Sequence, residues 1–257
     1  MNRWLVIPCF NEAKRLNQAR ILSYTSILQC SVLLVNDAST DTTQSVINEI
    51  VRSSNGSVHS LVLDRNSGKA EAVRTGMQWA ISHDATEVGY TDADGAVNES
   101  DLLQLFSELD SDIACTGVLG SRVALLGRDI ERNAIRHFSG RVFATFASLI
   151  LQCPVYDSQC GGKVFKVSTQ LQNALSESFV SKWGFDIELI GRLLRQTNPL
   201  SPHGLKEIPL SSWHDVSGSK VKTLDGVKTF IELVAIRRSL SQWPLYGQET
   251  PVPPMPQ

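Results

Sequence analysis

The chain has 257 residues, 42% of them hydrophobic and 19% charged, with a formal net charge of −2. That length supports one large α/β domain or two small ones, and so ordinary a composition excludes disordered and collagen-like classes. The near-neutral charge excludes a strong non-specific hold on nucleic acid, which needs a basic footprint.

The first half alternates short β-rich runs with helical patterns. Residues 3–8 predict a strand, residues 12–29 a helix and residues 32–35 a second strand. Ser39-Thr40-Asp41 supplies N-cap chemistry for a helix reaching about residue 52. A third strand is predicted over 58–63, a helix over 68–82 and a fourth strand over 87–91. A helix over 98–109 and a strand over 113–119 follow. The second half is less regular, with helices over 132–151, 166–174 and 185–195, a short strand over 206–209 and a last helix over 224–240. Strands alternating with helices of this length predict an α/β fold, a mostly parallel central sheet with helices on both faces. The strands are continuous apolar runs, as a doubly covered sheet requires. Ligands gather at the carboxyl ends of such strands, and Asn11, Glu12, Asp37, Asp92 and Asp94 all fall there. Four of the last seven residues are proline, so residues 244–257 are expected to form a disordered tail.

Five cysteines (Cys9, Cys30, Cys115, Cys153 and Cys160) contain no C-x-x-C pair. They predict reduced thiols rather than a disulfide framework or a zinc site. The five histidines are scattered as well. No basic n-region with a cleavage site precedes the apolar run at residues 4–7, so no signal peptide is expected. The most apolar helical stretch, 142–151, is shorter than the roughly 20 residues a membrane span needs. These features predict a cytoplasmic protein, with room for peripheral contact at the inner face of a membrane.

Several short motifs carry candidate chemistry. Thr91-Asp92-Ala93-Asp94-Gly95 places two carboxylates two residues apart just after an apolar strand. Mg²⁺ and Mn²⁺ prefer hard oxygen ligands and are commonly shared between one or two carboxylates and substrate phosphates. A D-x-D at a strand end therefore suits a metal–diphosphate site; the alternative is a polar turn with a helix cap. Pro8-Cys9-Phe10-Asn11-Glu12 and Asn36-Asp37-Ala38-Ser39 read in isolation as strand ends followed by helix caps. Asn66-Ser67-Gly68-Lys69 sets a glycine and a lysine at a helix start, where phosphate is favoured, but it lacks the full P-loop pattern. Arg122, Arg128, Arg132, Arg136 and Arg141 form a basic cluster suited either to bidentate phosphate contacts or to a solvated helix face paired with Asp129 and Glu131. Asp157 to Lys163 and Trp183 to Glu188 each read as a turn opening an acidic first turn, in which a carboxylate is a cap or a base.

Taken in order, these segments resemble the family-2 glycosyltransferases, in particular the branch of dolichyl-phosphate glucosyltransferases and dolichol-phosphate mannose synthases. The matching stretches are IPCFNE (7–12), VNDASTDTT (35–43), NSGKAEAVRTGM (66–77), TDADGA (91–96), GSR (120–122), DSQCGGKVF (157–165), WGFDIEL (183–189) and SGSK (217–220). The resemblance covers about residues 3–240, and its strength lies in the order of eight individually weak motifs. It implies a GT-A fold over 1–243, with a nucleotide part over about 1–120 and an acceptor part over about 121–243. It implies that Pro8, Asn11, Glu12 and Asp37 line the nucleoside pocket. Lys69 and Asp92 lie near the diphosphate, and Asp94 with Asp92 holds the Mg²⁺ or Mn²⁺. Arg122, Gln159, Lys163 and Lys220 lie toward the acceptor or the sugar. The chain departs from the family in two places: Asn36-Asp37 stands where two acids are usual, and Gly162 where an aromatic is usual.

The reaction so implied transfers a hexose, with inversion, from a UDP- or GDP-sugar. A sugar-hydroxyl acceptor needs deprotonation, for which Asp186 is the first candidate base and Asp157 the second. A lipid phosphate, with a second pKa of about 6, is already a nucleophile and needs arginines more than a base. The arginine cluster favours a polyprenyl phosphate with peripheral membrane contact. Two rival readings differ in class. A sugar-nucleotidyltransferase should carry a glycine-rich basic signature near the N-terminus, which Pro8–Glu12 is not. A non-catalytic nucleotide-sugar-binding protein would bind without turnover.

Overall fold

A computed structural model describes residues 2–131, 134–197, 204–214 and 226–243; the side chains of 131–139 and 226–230 lie outside the description. The elements are β1 (Arg3–Cys9), α1 (Gln18–Ile27), β2 (Ser31–Asn36), α2 (Thr43–Ser53), β3 (Val58–Val62), α3 (Lys69–Ser82), β4 (Glu87–Tyr90), α4 (Glu99–Ser111), β5 (Gly117–Ser121), β6 (Asp129–Glu131), α5 (Ala134–Leu151), β7 (Lys163–Lys166), α6 (Thr169–Ser176), α7 (Phe185–Arg195), β8 (Leu205–Pro209), β9 (Ser212–His214) and α8 (Gly226–Gln242).

The central sheet runs β3-β2-β1-β4-β7-β5-β8, and β6 pairs with β9 in a small second sheet. Every pairing in the large sheet is parallel except those of β7, which runs antiparallel to both β4 and β5. Period-2 alternation sends strand residues to two cores. Trp4, Val6, Leu33 and Val35 pack with α3, α5, α6, α7 and α8 on one face. Leu5, Ile7, Val32 and Leu34 pack with α1, α2, α4 and Trp213 on the other. Each fully buried aliphatic chain contributes roughly 1.5–3 kcal/mol. The helices thus cover both faces, as the apolar runs predict.

Four expectations need correction. The strand expected over 113–119 runs Gly117–Ser121, because the Cys115 amide turns back onto the Asp112 carbonyl. Residues 12–16 form a turn rather than helix, because the Arg15 and Leu16 amides both donate to the Glu12 carbonyl and Asn17 then caps α1 by accepting from the Arg20 amide. The helix expected after Ser39 begins at Thr43, because Asp41 turns its carboxylate onto the Thr43 amide, the competition with helix that aspartate side chains offer. The helix expected from residue 166 begins at Thr169 behind a Ser168 cap, and residues 163–166 are the strand β7. That run is short and preceded by Gly161-Gly162, and its identity as a strand comes from the neighbours that complete its ladder on both sides. The proline-rich tail 244–257 lies outside the described residues.

Candidate active site at the strand ends

β1 carries its polar cargo past a proline. Pro8 pairs only with β2, because β4 has turned away after Tyr90, so its missing N–H leaves no gap in the sheet. Asn11 then enters the left-handed region at φ 53°, which asparagine tolerates. Its Oδ1 accepts from the amides of Thr40 (2.9 Å) and Asp41 (3.3 Å), tying the β1 exit to the β2 exit. The Glu12 amide donates to Thr43 Oγ1 at 2.8 Å, and its carboxylate is forked by Arg15. Asp37, almost wholly buried, accepts from the Ser67 amide (2.7 Å) and the Gly68 amide (2.8 Å). It thereby fixes the loop that opens α3. Asn36, where the family usually has an acid, is buried and bonds to Gln44 and to the Ser39 amide.

Charged groups converge where β4 ends. Lys69, first residue of α3, meets Asp92 at 2.5 Å. Burial opposes the charge on Lys69, yet Asp92, Asp186 and Asp94 outweigh it and raise its pKa, so it stays protonated. Asp92 also lies against Gly161, where a Cβ would stand 2.4 Å from Oδ2; only glycine lets the 157–162 loop approach so closely. Burial, then the neighbouring Asp92, raise the pKa of Asp94, whose Oδ1 accepts from the Ala96 amide at 3.0 Å. Arg15 is within electrostatic reach of both aspartates.

Asp186 lies at the start of α7, buried, with Lys163 Nζ 2.6 Å from Oδ1. The Tyr90 hydroxyl donates to the same oxygen. Burial, followed by the charge of Asp186, pushes the Tyr90 phenol well above its ordinary pKa, so it remains a donor. Among the described residues nothing donates to Asp186 Oδ2. Lys163, fully buried, donates also to the Cys160 carbonyl at 2.5 Å. Asp157 accepts three bonds from Arg122: the amide at 3.0 Å, Nε at 2.6 Å and Nη2 at 2.8 Å. Glu207 holds the Asp157 amide at 2.8 Å, and Arg122 lies 4.8 Å over the Trp213 ring. Gln159 Nε2, in the same loop, is buried without a hydrogen-bond partner among the described residues.

The structure therefore brings Lys69, Asp92, Asp94, Lys163 and Asp186 to one place, with Asp157 and Gln159 on the adjoining loop and Arg122 at the β5 exit, bonded to Asp157. Pro8, Asn11, Glu12 and Asp37 stand at the neighbouring ends of β1 and β2. Lys220 lies outside the described residues. The arginine cluster does not act as one group. Arg122 is committed to Asp157, Arg141 stacks 3.9 Å over Tyr156 and donates to its carbonyl, and Arg132 with the Arg136 side chain lies outside the described residues. Sequence reasoning missed Tyr90, Arg15 and Glu207. Tyr90 was reachable, being two residues before Asp92 and so on the same side of the strand; Glu207 is distant in sequence.

Asp92 and Asp94 fit a divalent cation of a particular kind. Burial, then the charge of Asp92, disfavours the Asp94 carboxylate, and a bound cation relieves both. No group of three or more His, Cys, Asp or Glu side chains suited to a metal occurs among the described residues. The pair suits a cation shared with a diphosphate rather than one caged by protein.

Comparison with known proteins agrees with this geometry. The chain is 28% identical over 247 residues to the dolichyl-phosphate beta-glucosyltransferase ALG5D of Trichomonas vaginalis, covering 90% of this chain and 71% of the relative. It is 21% identical over 196 residues to the polyprenol monophosphomannose synthase of Mycolicibacterium smegmatis, covering 74% and 71%. Its fold matches glucosyl-3-phosphoglycerate synthase from Mycobacterium tuberculosis, solved with Mn²⁺, uridine diphosphate and phosphoglyceric acid. That match has a TM-score of 0.65 and 16% identity, over 95% of this chain and 79% of the other. The fold is the GT-A fold. With the sequence model of glycosyl transferase family 2 matching residues 4–167, the chain belongs to that family.

Proposed function

We propose that the protein is a metal-dependent, inverting hexosyltransferase that uses a UDP- or GDP-sugar and a polyprenyl phosphate acceptor. The observation that carries this reading is the convergence of Lys69, Asp92, Asp94 and Asp186 at the end of β4, beside polar groups on the β1 and β2 exits. Pro8, Asn11, Glu12 and Asp37 would shape the nucleoside side, and Lys69 would meet the diphosphate. Asp92 and Asp94 would hold Mg²⁺ or Mn²⁺, which when bound neutralises charge developing on the departing diphosphate. The acceptor oxygen would attack the anomeric carbon from the opposite face through an oxocarbenium-like state.

Asp157 is better suited to fixing Arg122 than to taking a proton, because Arg122 already gives it three hydrogen bonds. Arg122, Lys163 and Gln159 then face the acceptor or the sugar. A lipid acceptor is supported by apolar groups on the outside of the molecule. Val142, Phe146 and Leu149 stand exposed on α5 at helical spacing, and Ile231 and Val234 on α8, which packs against α5. No described helix is long and apolar enough to cross a membrane, so membrane contact on this reading is peripheral. A second reading, transfer to a sugar hydroxyl, draws on Asp186 Oδ2, which takes no hydrogen bond from the described residues and could accept the proton.

The test is a thermal-shift screen of UDP, GDP and their hexose conjugates with and without Mn²⁺. A ligand at about 100 times its dissociation constant stabilises the fold by about 2.7 kcal/mol. A metal-dependent shift for one nucleotide names the donor for assays with polyprenyl phosphate and with sugar acceptors. No shift with any nucleotide, on folded protein, overturns the reading.

A further inference from the structure

We infer that Ser181 and Glu232 are positioning residues for Asp186, through which α8 sets the geometry of the reaction centre. The inference rests on the proposed role of Asp186. Three observations converge on the start of α7. Gly184 opens the helix without a side-chain cap of its own; instead its amide donates to Ser181 Oγ at 2.6 Å. The Ser181 hydroxyl, fully buried, donates in turn to Glu232 on α8. Gly184 is also pressed directly against α8: a Cβ there would stand 2.7 Å from Ile236 Cδ1 and 3.1 Å from Ser181 Oγ.

One turn further on, α8 grips α7 again. Ser239 Oγ donates to Glu188 Oε1 at 2.8 Å, and Glu188 Oε2 accepts from the Val180 amide at 2.9 Å. The segment between these grips, 180–184, passes over Gly68 through Lys182, so it touches the loop that Asp37 holds for the donor. Asp186 follows two residues after Gly184. Displacing α8 therefore moves the one side chain that Lys163 and Tyr90 hold against the Lys69–Asp92 pair. Close to Glu232 on α8, Ile231 and Val234 are exposed while Leu233 is buried, so contact at the exposed positions also loads this linkage.

The experiment compares Glu232→Ala, Glu232→Gln, Ser181→Ala and Asp186→Asn in the full chain. UDP-glucose and GDP-mannose serve as donors, a sugar acceptor that must lose a proton to Asp186 is assayed beside a short-chain polyprenyl phosphate, and nucleotide affinity is measured in parallel. The expected effects are those with the sugar acceptor. Misplacement of a reacting group by about 1 Å costs on the order of 100-fold. Glu232→Ala and Ser181→Ala are therefore expected to lower kcat about 10- to 100-fold, with nucleotide affinity held within about twofold. Glu232→Gln, whose amide oxygen still accepts from Ser181, should restore most of kcat, and adding Glu232→Ala to Asp186→Asn should cost nothing further. Should Glu232→Ala fail to fold, the smaller Ser181→Ala change carries the same comparison. Unchanged kcat in folded Glu232→Ala and Ser181→Ala, beside an inactive Asp186→Asn, overturns the positioning role alone. Full activity in Asp186→Asn, or no turnover by the unaltered chain with either donor, overturns the role of Asp186 and this inference with it.

Discussion

The two halves of the candidate site, the proposed donor side and the proposed acceptor side, hold their polar side chains in different ways. On the donor side, at the exits of β1 and β2, side chains bind backbone: Asn11 to the amides of Thr40 and Asp41, Asp37 to those of Ser67 and Gly68, Asn36 to that of Ser39. On the acceptor side, charged side chains bind one another: Lys163 with Asp186 and Arg122 with Asp157, and further along α7, behind the site, Arg192 with Glu188. The first arrangement makes a rigid cradle whose loops are set by local chemistry. The second sets buried charges that are stable only as pairs. Charge removal is thus expected to cost less on the donor side than on the acceptor side.

The largest effect is expected from breaking a buried pair. Glu188 and Arg192 are 2.8 Å apart and almost wholly inaccessible. Glu188→Gln leaves the guanidinium unpaired and should cost roughly 3–5 kcal/mol, read as a lowered denaturation midpoint. Replacing both by leucine and methionine should recover much of it. An unaltered midpoint in the single variant would remove the contrast drawn between the two halves. Next is Asp94→Asn, which should lower transfer about 10²- to 10³-fold, the range for losing one electrostatic stabiliser. The fold should stay intact, with the Mn²⁺ dependence of nucleotide binding lost; full transfer would reduce the D-x-D to a structural turn.

Asp37→Ala strands the Ser67 and Gly68 amides and should weaken nucleotide binding by about 1–3 kcal/mol, with turnover at saturating donor largely kept. A fall in kcat larger than the loss of affinity would place Asp37 at the reacting bond instead. The smallest effect lies at the opposite ends of the strands. There His59 lies against Trp4, with ring centroids 5.0 Å apart, and His83 stacks on Trp79 at 3.6 Å. Burial, then the nearby His83, lower the pKa of His59. The unfolded chain therefore takes up this proton first as pH falls, and stability declines from about pH 6.5 downward until the folded-state value is passed. His59→Gln should flatten that decline by a small margin; an identical pH dependence in melting curves would show that the ring is indifferent to protonation.

The donor half was the more legible half of the sequence, and the reason is physical. Asn11 and Asp37 stand at strand exits, where their motifs place them, and the Asn98 cap acts over a few residues, where cap chemistry is written locally. Elements with long apolar runs, such as β1 and β2, and with a clear helical period, such as α7, fall where their patterns predict. The limits appear where local signals compete. Glu12 continues a helical pattern but is followed by a turn, and Asp41 withdraws the chain from a helix that Ser39 seemed to begin.

The sequence by itself determined an α/β sheet covered on both faces, its polar residues at the strand ends, and membership of an ordered set of motifs. Tertiary structure alone decided that residues 163–166 are a strand, because its ladder is supplied by β4 and β5 from distant parts of the chain. Through that antiparallel insertion Lys163 comes opposite Tyr90 and reaches Asp186. It likewise decided that Arg122 belongs to Asp157, and that α8 holds the start of α7. Pairings of this kind depend on which surfaces meet when the sheet is complete, and no spacing along the chain encodes them.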